Sequence, residues 1–164
     1  MAEKTNRVRQ NPDTGPRVDE TDRILLSYLA EDGTLSYADL GQRVHLSAPA
    51  VHERVRKLKQ DGVIKGLVAR LDGTLLGKPL LCFVQVIANN IKKTEQVAKL
   101  SDIHDIEEIH SVTGESGMLL KIRTADTRSL EAILERIHEI EGIIGTRSQI
   151  VLTTMLERGV SPNK

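Results

Sequence analysis

Three short segments near the start of the chain carry apolar residues at the spacing of helices that are buried on one face. Asp19, Ser36 and Ser47 are placed to cap them, because each side chain offers an oxygen to the free N–H groups of a first turn. Gly33 and Gly62 are predicted to end the first and the third helix. The residues predicted to face inward are Ile24, Leu25, Tyr28 and Leu29, then Tyr37, Leu40, Gly41 and Val44, then Val51, Val55 and Leu58.

A four-residue turn at 44–47 separates the second segment from the third, and this arrangement is typical of a helix-turn-helix motif. The third helix carries four basic residues and one acid on its outward side between 48 and 59. Such a helix fits the major groove of DNA, where its first residues meet base edges and its basic side chains meet phosphates. The predicted base-edge contacts are Ser47, Ala48, Pro49 and His52, and the predicted backbone contacts are Arg54, Arg56, Lys57 and Lys59.

The pattern changes after residue 70. A short strand is predicted at 63–71, and two glycines and a proline predict a hinge at 71–80. Strands are then predicted at 80–88, 106–113, 117–125 and 143–154, with one helix near 94–100 and a longer one that begins after Asp126. The order βαββαβ predicts an α+β fold, in which a ferredoxin-like sandwich at 81–158 follows a helix-turn-helix domain at 18–70.

The face of this sheet that the predicted helices do not cover indicates self-association. The strand at 80–88 is apolar on both sides, and on the third strand Leu119, Lys121 and Arg123 lie on one side, with Met118, Leu120 and Ile122 on the other. A sheet with helices on one face buries its other face most simply against a copy of itself. We therefore expect a dimer.

Composition limits the cellular context. Only 2% of the residues are aromatic, so the core must be aliphatic. The chain has no net charge, but its local basic patch at 48–59 suits a protein that meets a polyanion with one face only. A single cysteine, Cys82, excludes an internal disulfide and favours a reducing compartment. The polar stretch 1–17 is interpreted as a disordered arm, and 159–164 as a tail. Without an apolar run of about 18 residues, we expect a cytoplasmic protein that does not enter a membrane.

No catalytic pattern stands out. His104 and His110 lie six residues apart without a nearby cysteine, so they favour surface positions over a metal site. No Ser–His–Asp set, carboxylate pair or phosphate loop appears, and we expect neither an enzyme nor a cofactor. The sequence GESG at 114–117 matches the GxxG loop of KH nucleic-acid modules, but it joins two predicted strands and so favours a hairpin.

Four segments carry a family resemblance: DETDRILLSYLAEDGTLSYADLGQRVHLS, AVHERVRKLKQDGVIKG, SVTGESGMLLKIRTAD and TRSQIVLTT. In this order and spacing they resemble the Lrp/AsnC (leucine-responsive/asparagine-regulator) transcription regulators over about residues 18–158. The resemblance implies dimers that often form octamers, and an amino acid or related small molecule bound between dimers. It implies that the loop 113–117 and parts of the last strand line this cleft. The candidate effector-binding residues are Thr113, Gly114, Glu115, Ser116, Gly117, Thr146, Ser148 and Gln149.

The chain departs from this family's pattern at two places. His45 stands where the family usually has glycine, and histidine tolerates a left-handed backbone better than most residues do. Ser116 and Gly117 stand where an aromatic residue and an acid are frequent, so the sequence does not identify the effector. Three functions stay open: an effector-responsive regulator of transcription, an architectural DNA-wrapping protein, and a ligand-binding module that does not bind DNA.

Overall fold

The computed structural model of the chain describes residues 18–88, 93–114 and 117–162, without the side chains of 93 and 94. The predicted arm at 1–17 lies outside the described residues. The chain divides into two compact units, one made of residues 18–69 and 158–162 and the other of residues 70–157. The elements are α1 Glu20–Glu31, α2 Tyr37–Val44, α3 Ala48–Gln60, β1 Leu80–Ala88, α4 Lys93–Ser101, β2 Ile106–Ser111, β3 Met118–Thr124, α5 Thr127–His138 and β4 Ile143–Ile150.

The predicted caps begin the first three helices. The carboxylate of Asp19 accepts the N–H of Asp22 at 2.8 Å, and the N–H of Asp19 donates to the carboxylate of Asp22 at 3.2 Å. Ser36 accepts the N–H of Asp39 at 3.1 Å, but Asp39 bonds the Ser36 hydroxyl and does not close a capping box.

The core of the first unit follows the predicted faces with one exception. Its buried cluster consists of Leu25, Leu29, Leu40, Val51 and Val55. Ile24, predicted to face inward, is 40% exposed, so that prediction is wrong. The buried stripe of α1 instead runs through Asp22, Leu25 and Leu29, because Asp22 turns inward.

The turn between α2 and α3 depends on two unusual backbone positions. His45 adopts the predicted left-handed conformation, with φ 55° and ψ 42°. The N–H groups of His45 and Leu46 both donate to the carbonyl of Gly41. A Cβ at Gly41 would lie 2.5 Å from the carbonyl oxygen of Leu46, so only glycine fits there.

The strand predicted at 63–71 is wrong. The N–H of Ile64 donates to the carbonyl of Leu58 at 3.0 Å, which turns the chain over the end of α3. Residues 65–71 then pair with no strand in the described parts of the chain. The segment from 72 to 78 forms a hydrogen-bonded turn, in which the Asp72 carboxylate accepts the N–H groups of Thr74 and Leu75 at 2.8 and 3.2 Å.

The second unit has the predicted βαββαβ order. Its four strands form an antiparallel sheet in the order β2-β3-β1-β4, with β1 paired to β3 on one side and to β4 on the other. One face packs against both helices, and Val84, Leu100, Leu120 and Ile137 are fully buried in that core. The last strand ends at Ile150 rather than at the predicted residue 154.

The opposite face of the sheet, which we call the open face, is more polar than predicted. Leu119, Lys121 and Arg123 share one side of β3 and lie on this face, and Phe83 stands between Lys121 and Gln149. Lys121 pairs with Glu107 and Glu108 at 3.1 and 3.0 Å, and Arg123 pairs with Glu107 at 2.7 Å. The open face therefore combines a half-buried apolar row on β1 with a network of ion pairs on β2 and β3.

Candidate DNA-binding helix and ligand loop

The first turn of α3 presents the predicted base-edge residues. Ser47 caps the helix by accepting the N–H of Ala50 at 3.4 Å, and Pro49 lies in the first turn, where no intrahelical N–H partner is lost. His52 is exposed, and its ring meets the edge of the Tyr37 ring, with centroids 5.3 Å apart and planes at 64°. Tyr37 belongs to α2, and no local sequence pattern predicts its contact with His52.

The four basic residues of α3 have different surroundings. Arg56 pairs with Glu53 one turn earlier, and this hydrogen bond lowers the pKa of the Glu53 carboxyl. Lys57 and Lys59 are exposed, and within the described residues no carboxylate lies at ion-pair distance from either. Two cations of this helix are therefore free to meet an anion.

Arg54 differs from the other three. Its Nη1 donates to Asp19 Oδ2 at 2.7 Å and to Asp22 Oδ1 at 2.8 Å, so it joins α3 to the start of α1. Hydrogen bonds to Asp19 and Asp22 raise the pKa of Arg54. Its partners lie 35 and 32 residues away in the chain, beyond the reach of any local sequence pattern.

The predicted ligand loop lies between β2 and β3 and has the expected hairpin glycines. Gly114 and Gly117 have φ values of 99° and 69°, and the N–H of Val112 donates to the carbonyl of Gly117 at 3.1 Å. Apart from the residues adjacent in the chain, no described atom lies within 4 Å of a Cβ built on either glycine. Thr113 is exposed, whereas Glu115 and Ser116 lie outside the described residues.

The three candidate residues of the last strand lie on both faces of the sheet. Thr146 and Ser148 pair with Val86 and Val84, whose side chains are in the helix-covered core, and Thr146 Oγ1 lies 3.1 Å from His138 Nε2. Gln149 pairs with Phe83 on the open face. Because β1 and β3 separate β4 from the loop, Gly117 and Thr146 are about 10 Å apart, two strand spacings. Within the described residues, Thr113, Gly114 and Gly117 therefore lie apart from the candidate residues of β4, which do not share one face of the sheet.

Other candidate chemistry gives no site in the described residues. They contain no group of three or more histidine, cysteine, aspartate or glutamate side chains placed to hold a metal ion. His104 is exposed, and His110 Nε2 lies 2.8 Å from Glu108. None of the described helices is long and apolar enough to cross a membrane.

A helix-turn-helix unit with an exposed basic helix, followed by an α+β unit with an exposed glycine hairpin, defines a two-domain regulator of transcription. Residues 18–59 match the AsnC-type helix-turn-helix domain, and residues 81–161 match the Lrp/AsnC ligand binding domain. The chain belongs to the Lrp/AsnC family of transcription regulators, which confirms the resemblance found in the sequence.

Individual relatives agree with this assignment. The chain is 34% identical to the HTH-type transcriptional regulator FL11 of Pyrococcus horikoshii, over 90% of this chain and 97% of that protein. The structure of AsnC from E. coli superposes with a TM-score of 0.84 at 28% identity, over 90% of this chain and 100% of that chain. A feast or famine regulatory protein from M. tuberculosis, solved in complex with L-methionine, superposes with a TM-score of 0.80 at 35% identity. The match covers 86% of this chain and 96% of that chain.

Proposed function

We propose that this protein regulates transcription by binding particular DNA sequences through α3, and that an amino acid or related small molecule modulates this binding. The observation that carries the proposal is the outward surface of α3. Its capped first turn leaves His52 exposed for base edges, and Lys57 and Lys59 have no carboxylate partner among the described residues. Arg56, which pairs with Glu53 on the same helix, is the third predicted DNA-backbone contact on the outward surface.

The hairpin between β2 and β3 is the proposed effector site. Gly114 and Gly117 leave backbone N–H groups without a neighbouring Cβ, and such donors suit a carboxylate. Thr113 adds an exposed hydroxyl, and Glu115 supplies the single charge in the loop sequence, which suits an ammonium group. The relative that was solved with L-methionine supports an amino acid as the ligand class.

We place this site between copies of the chain. A single chain leaves the loop two strand spacings from Thr146, and it leaves Gln149 on the other face from Thr146 and Ser148. A pocket that includes both regions therefore needs a second copy. Dimers joined through their open faces, and assembled further into octamers, would meet this need, and the ligand would then stabilise whichever assembly completes the pocket.

The DNA proposal is tested by selecting bound duplexes from a random pool and titrating the enriched sequence by fluorescence anisotropy. A sequence-specific regulator enriches one motif and shows an affinity that falls linearly on a log–log plot against salt. Long footprints without an enriched motif would favour the architectural alternative. Absence of DNA binding at low salt would contradict the proposal and favour a ligand-binding module.

The ligand proposal is tested by thermal-shift screening against the twenty amino acids, since a ligand that binds the folded state raises the melting temperature. Gly114→Gln should fill the loop and abolish any such shift, and it should leave DNA binding intact. Oligomer size is measured in parallel, with and without the ligand. Equal ligand responses in the wild type and this variant would remove the loop from the site.

A further inference from the structure

We propose that Arg54 is a positioning residue that fixes α3 against the start of α1, and that it makes no contact with the DNA backbone. The inference rests on the proposed function, namely that α3 binds DNA. It refines the sequence prediction, which counted Arg54 with Arg56, Lys57 and Lys59 as contacts to phosphate. We call Asp19, Asp22 and Arg54 the Arg54 cluster.

The carboxylates of the Arg54 cluster are held by backbone N–H groups as well as by the arginine. Asp19 uses Oδ1 to accept the N–H of Asp22, and Asp22 uses Oδ2 to accept the N–H of Asp19. The second oxygen of each side chain, Asp19 Oδ2 and Asp22 Oδ1, then accepts from Arg54 Nη1 at 2.7 and 2.8 Å. Every carboxylate oxygen of the cluster therefore has a fixed hydrogen-bond donor.

Burial adds to this anchoring. The side chain of Asp22 is 11% exposed and that of Arg54 is 35% exposed, so the contact is partly withdrawn from water. The N–H of Asp22, followed by the guanidinium of Arg54, lowers the pKa of Asp19. Removal of Arg54 by a phosphate would leave Asp22 as a nearly buried carboxylate without its cation, which is costly.

The surroundings of Arg54 also repel a phosphate. Arg54 and Lys57 line a groove together with four carboxylates, which are those of Asp19, Asp22, Glu53 and Asp61. A phosphate that approaches this groove meets two cations and four anions, a net negative environment. The DNA backbone is therefore expected on the other flank of α3.

Helix geometry defines that other flank. Residues 54, 57 and 61 follow each other at helical spacing and face the acidic groove, whereas 52, 56 and 59 form a row on the opposite flank of the helix. The second row contains His52, Arg56 and Lys59, and His52 is in contact with α2. We infer that Lys59 neutralises phosphate more effectively than Lys57, although both lysines are exposed.

The test is the salt dependence of DNA binding, measured for Arg54→Gln and, as the matched charge removal, Lys59→Gln. Each phosphate contact contributes about 0.9 to the slope of log affinity against log salt. Lys59→Gln should therefore flatten the slope by about 0.9. Arg54→Gln should leave the slope unchanged and should lower the preference for the selected sequence over random duplex severalfold, because α3 is no longer held in one orientation.

A second variant, Asp19→Asn with Asp22→Asn, keeps oxygens for the capping bonds and removes both charges, since asparagine caps helices about as well as aspartate. A positioning role predicts the same loss of sequence preference, an unchanged slope, and no additional loss when Arg54→Gln is combined with it. Circular dichroism confirms that each variant is folded. Should Arg54→Gln not fold, the double asparagine variant still decides the question through its slope.

Two results would overturn the role of Arg54. The first is a slope for Arg54→Gln that is flattened as much as that for Lys59→Gln. The second is a steeper slope and tighter random-duplex binding in the asparagine variant, which would show that the carboxylates restrain a phosphate-binding arginine. Failure of the proposed function is distinguishable, because the wild-type protein would then prefer no sequence in the same titrations.

Discussion

At the scale of single residues, the DNA-facing surface depends on contacts that pass between helices. Tyr37 is the first residue of α2, and its ring supports the exposed ring of His52 on α3. An edge contact of this kind restricts the orientation of the imidazole and adds roughly 0.5–1.5 kcal/mol. A side chain held in one orientation discriminates bases better than a mobile one does.

We expect Tyr37→Ala to weaken discrimination at the base pair that His52 reads, and to leave other positions of the site unchanged. Tyr37→Phe keeps the ring and serves as the control. Affinities for duplexes with each single base change give the measurement. Equal profiles for Tyr37→Ala and the wild type would show that His52 does not need this support.

At the scale of elements, the α2–α3 turn depends on two positions, one inside α2 that requires glycine and one at its C-cap that lacks it. Gly41 is required by the closeness of the Leu46 carbonyl. His45 occupies a left-handed conformation that glycine would adopt with less strain.

These positions predict stability changes of opposite sign. Gly41→Ala should lower the free energy of unfolding of the first unit by about 1–3 kcal/mol, since a backbone carbonyl must move to make room. His45→Gly should raise it by up to about 1 kcal/mol, because the strain disappears. Urea unfolding monitored by circular dichroism measures both. A neutral Gly41→Ala would contradict the close approach.

The start of α5 predicts a dependence on pH. The backbone N–H of Ser129 lowers the pKa of Asp126, which caps this helix. A carboxyl whose pKa is lower in the folded state stabilises the fold above its unfolded pKa of about 3.9, and this stabilisation is lost as the pH falls through the folded value. Asp126→Asn keeps a side-chain oxygen that caps the helix but removes the carboxyl group that titrates.

Acid titrations of the unfolding free energy should therefore distinguish the two proteins. The wild type should lose more stability than Asp126→Asn between about pH 5 and pH 2, and the two should run parallel above that range. Parallel curves throughout would show that Asp126 titrates normally in the folded chain.

Helix starts could be predicted from the sequence far better than contacts between residues that are far apart in the chain. The caps at Asp19, Ser47 and Asp126 act within three residues of themselves, so the helix starts were correctly placed. The prediction of a strand at 63–71 was wrong, because a strand needs a second strand to pair with, and β-branched composition does not supply one. The arginine at position 54 was identified as basic, but its pairing with α1 depends on tertiary structure.

At the scale of the whole molecule, the order of elements was enough to predict the ferredoxin-like sheet, since a βαββαβ chain with helices on one face has few alternatives. The polarity of the open face could not be predicted, because the ion pairs of Lys121 and Arg123 depend on the register of β2 against β3. The antiparallel pairing of β2 with β3 as a hairpin was correctly predicted.

The open face carries the prediction for assembly. Phe83→Asp places a charge in the apolar row of β1 and should convert the expected dimer to a monomer, because an unpaired charge at a buried interface is costly. Val97→Asp, a similar change on α4, is the control. Sedimentation velocity gives the oligomer size. A folded Phe83→Asp variant that remains dimeric would contradict an interface on this face.

The central position of β1 in the sheet has a consequence for synthesis of the chain. This strand leaves the ribosome first among the four, but its two neighbours are β3 and β4, which begin only at Met118 and Ile143. Because synthesis adds about 5–20 residues per second, both edges of β1 stay unpaired for seconds. Nascent chains arrested before residue 143 should therefore bind chaperones or aggregate, whereas chains that extend past Ile150 should not.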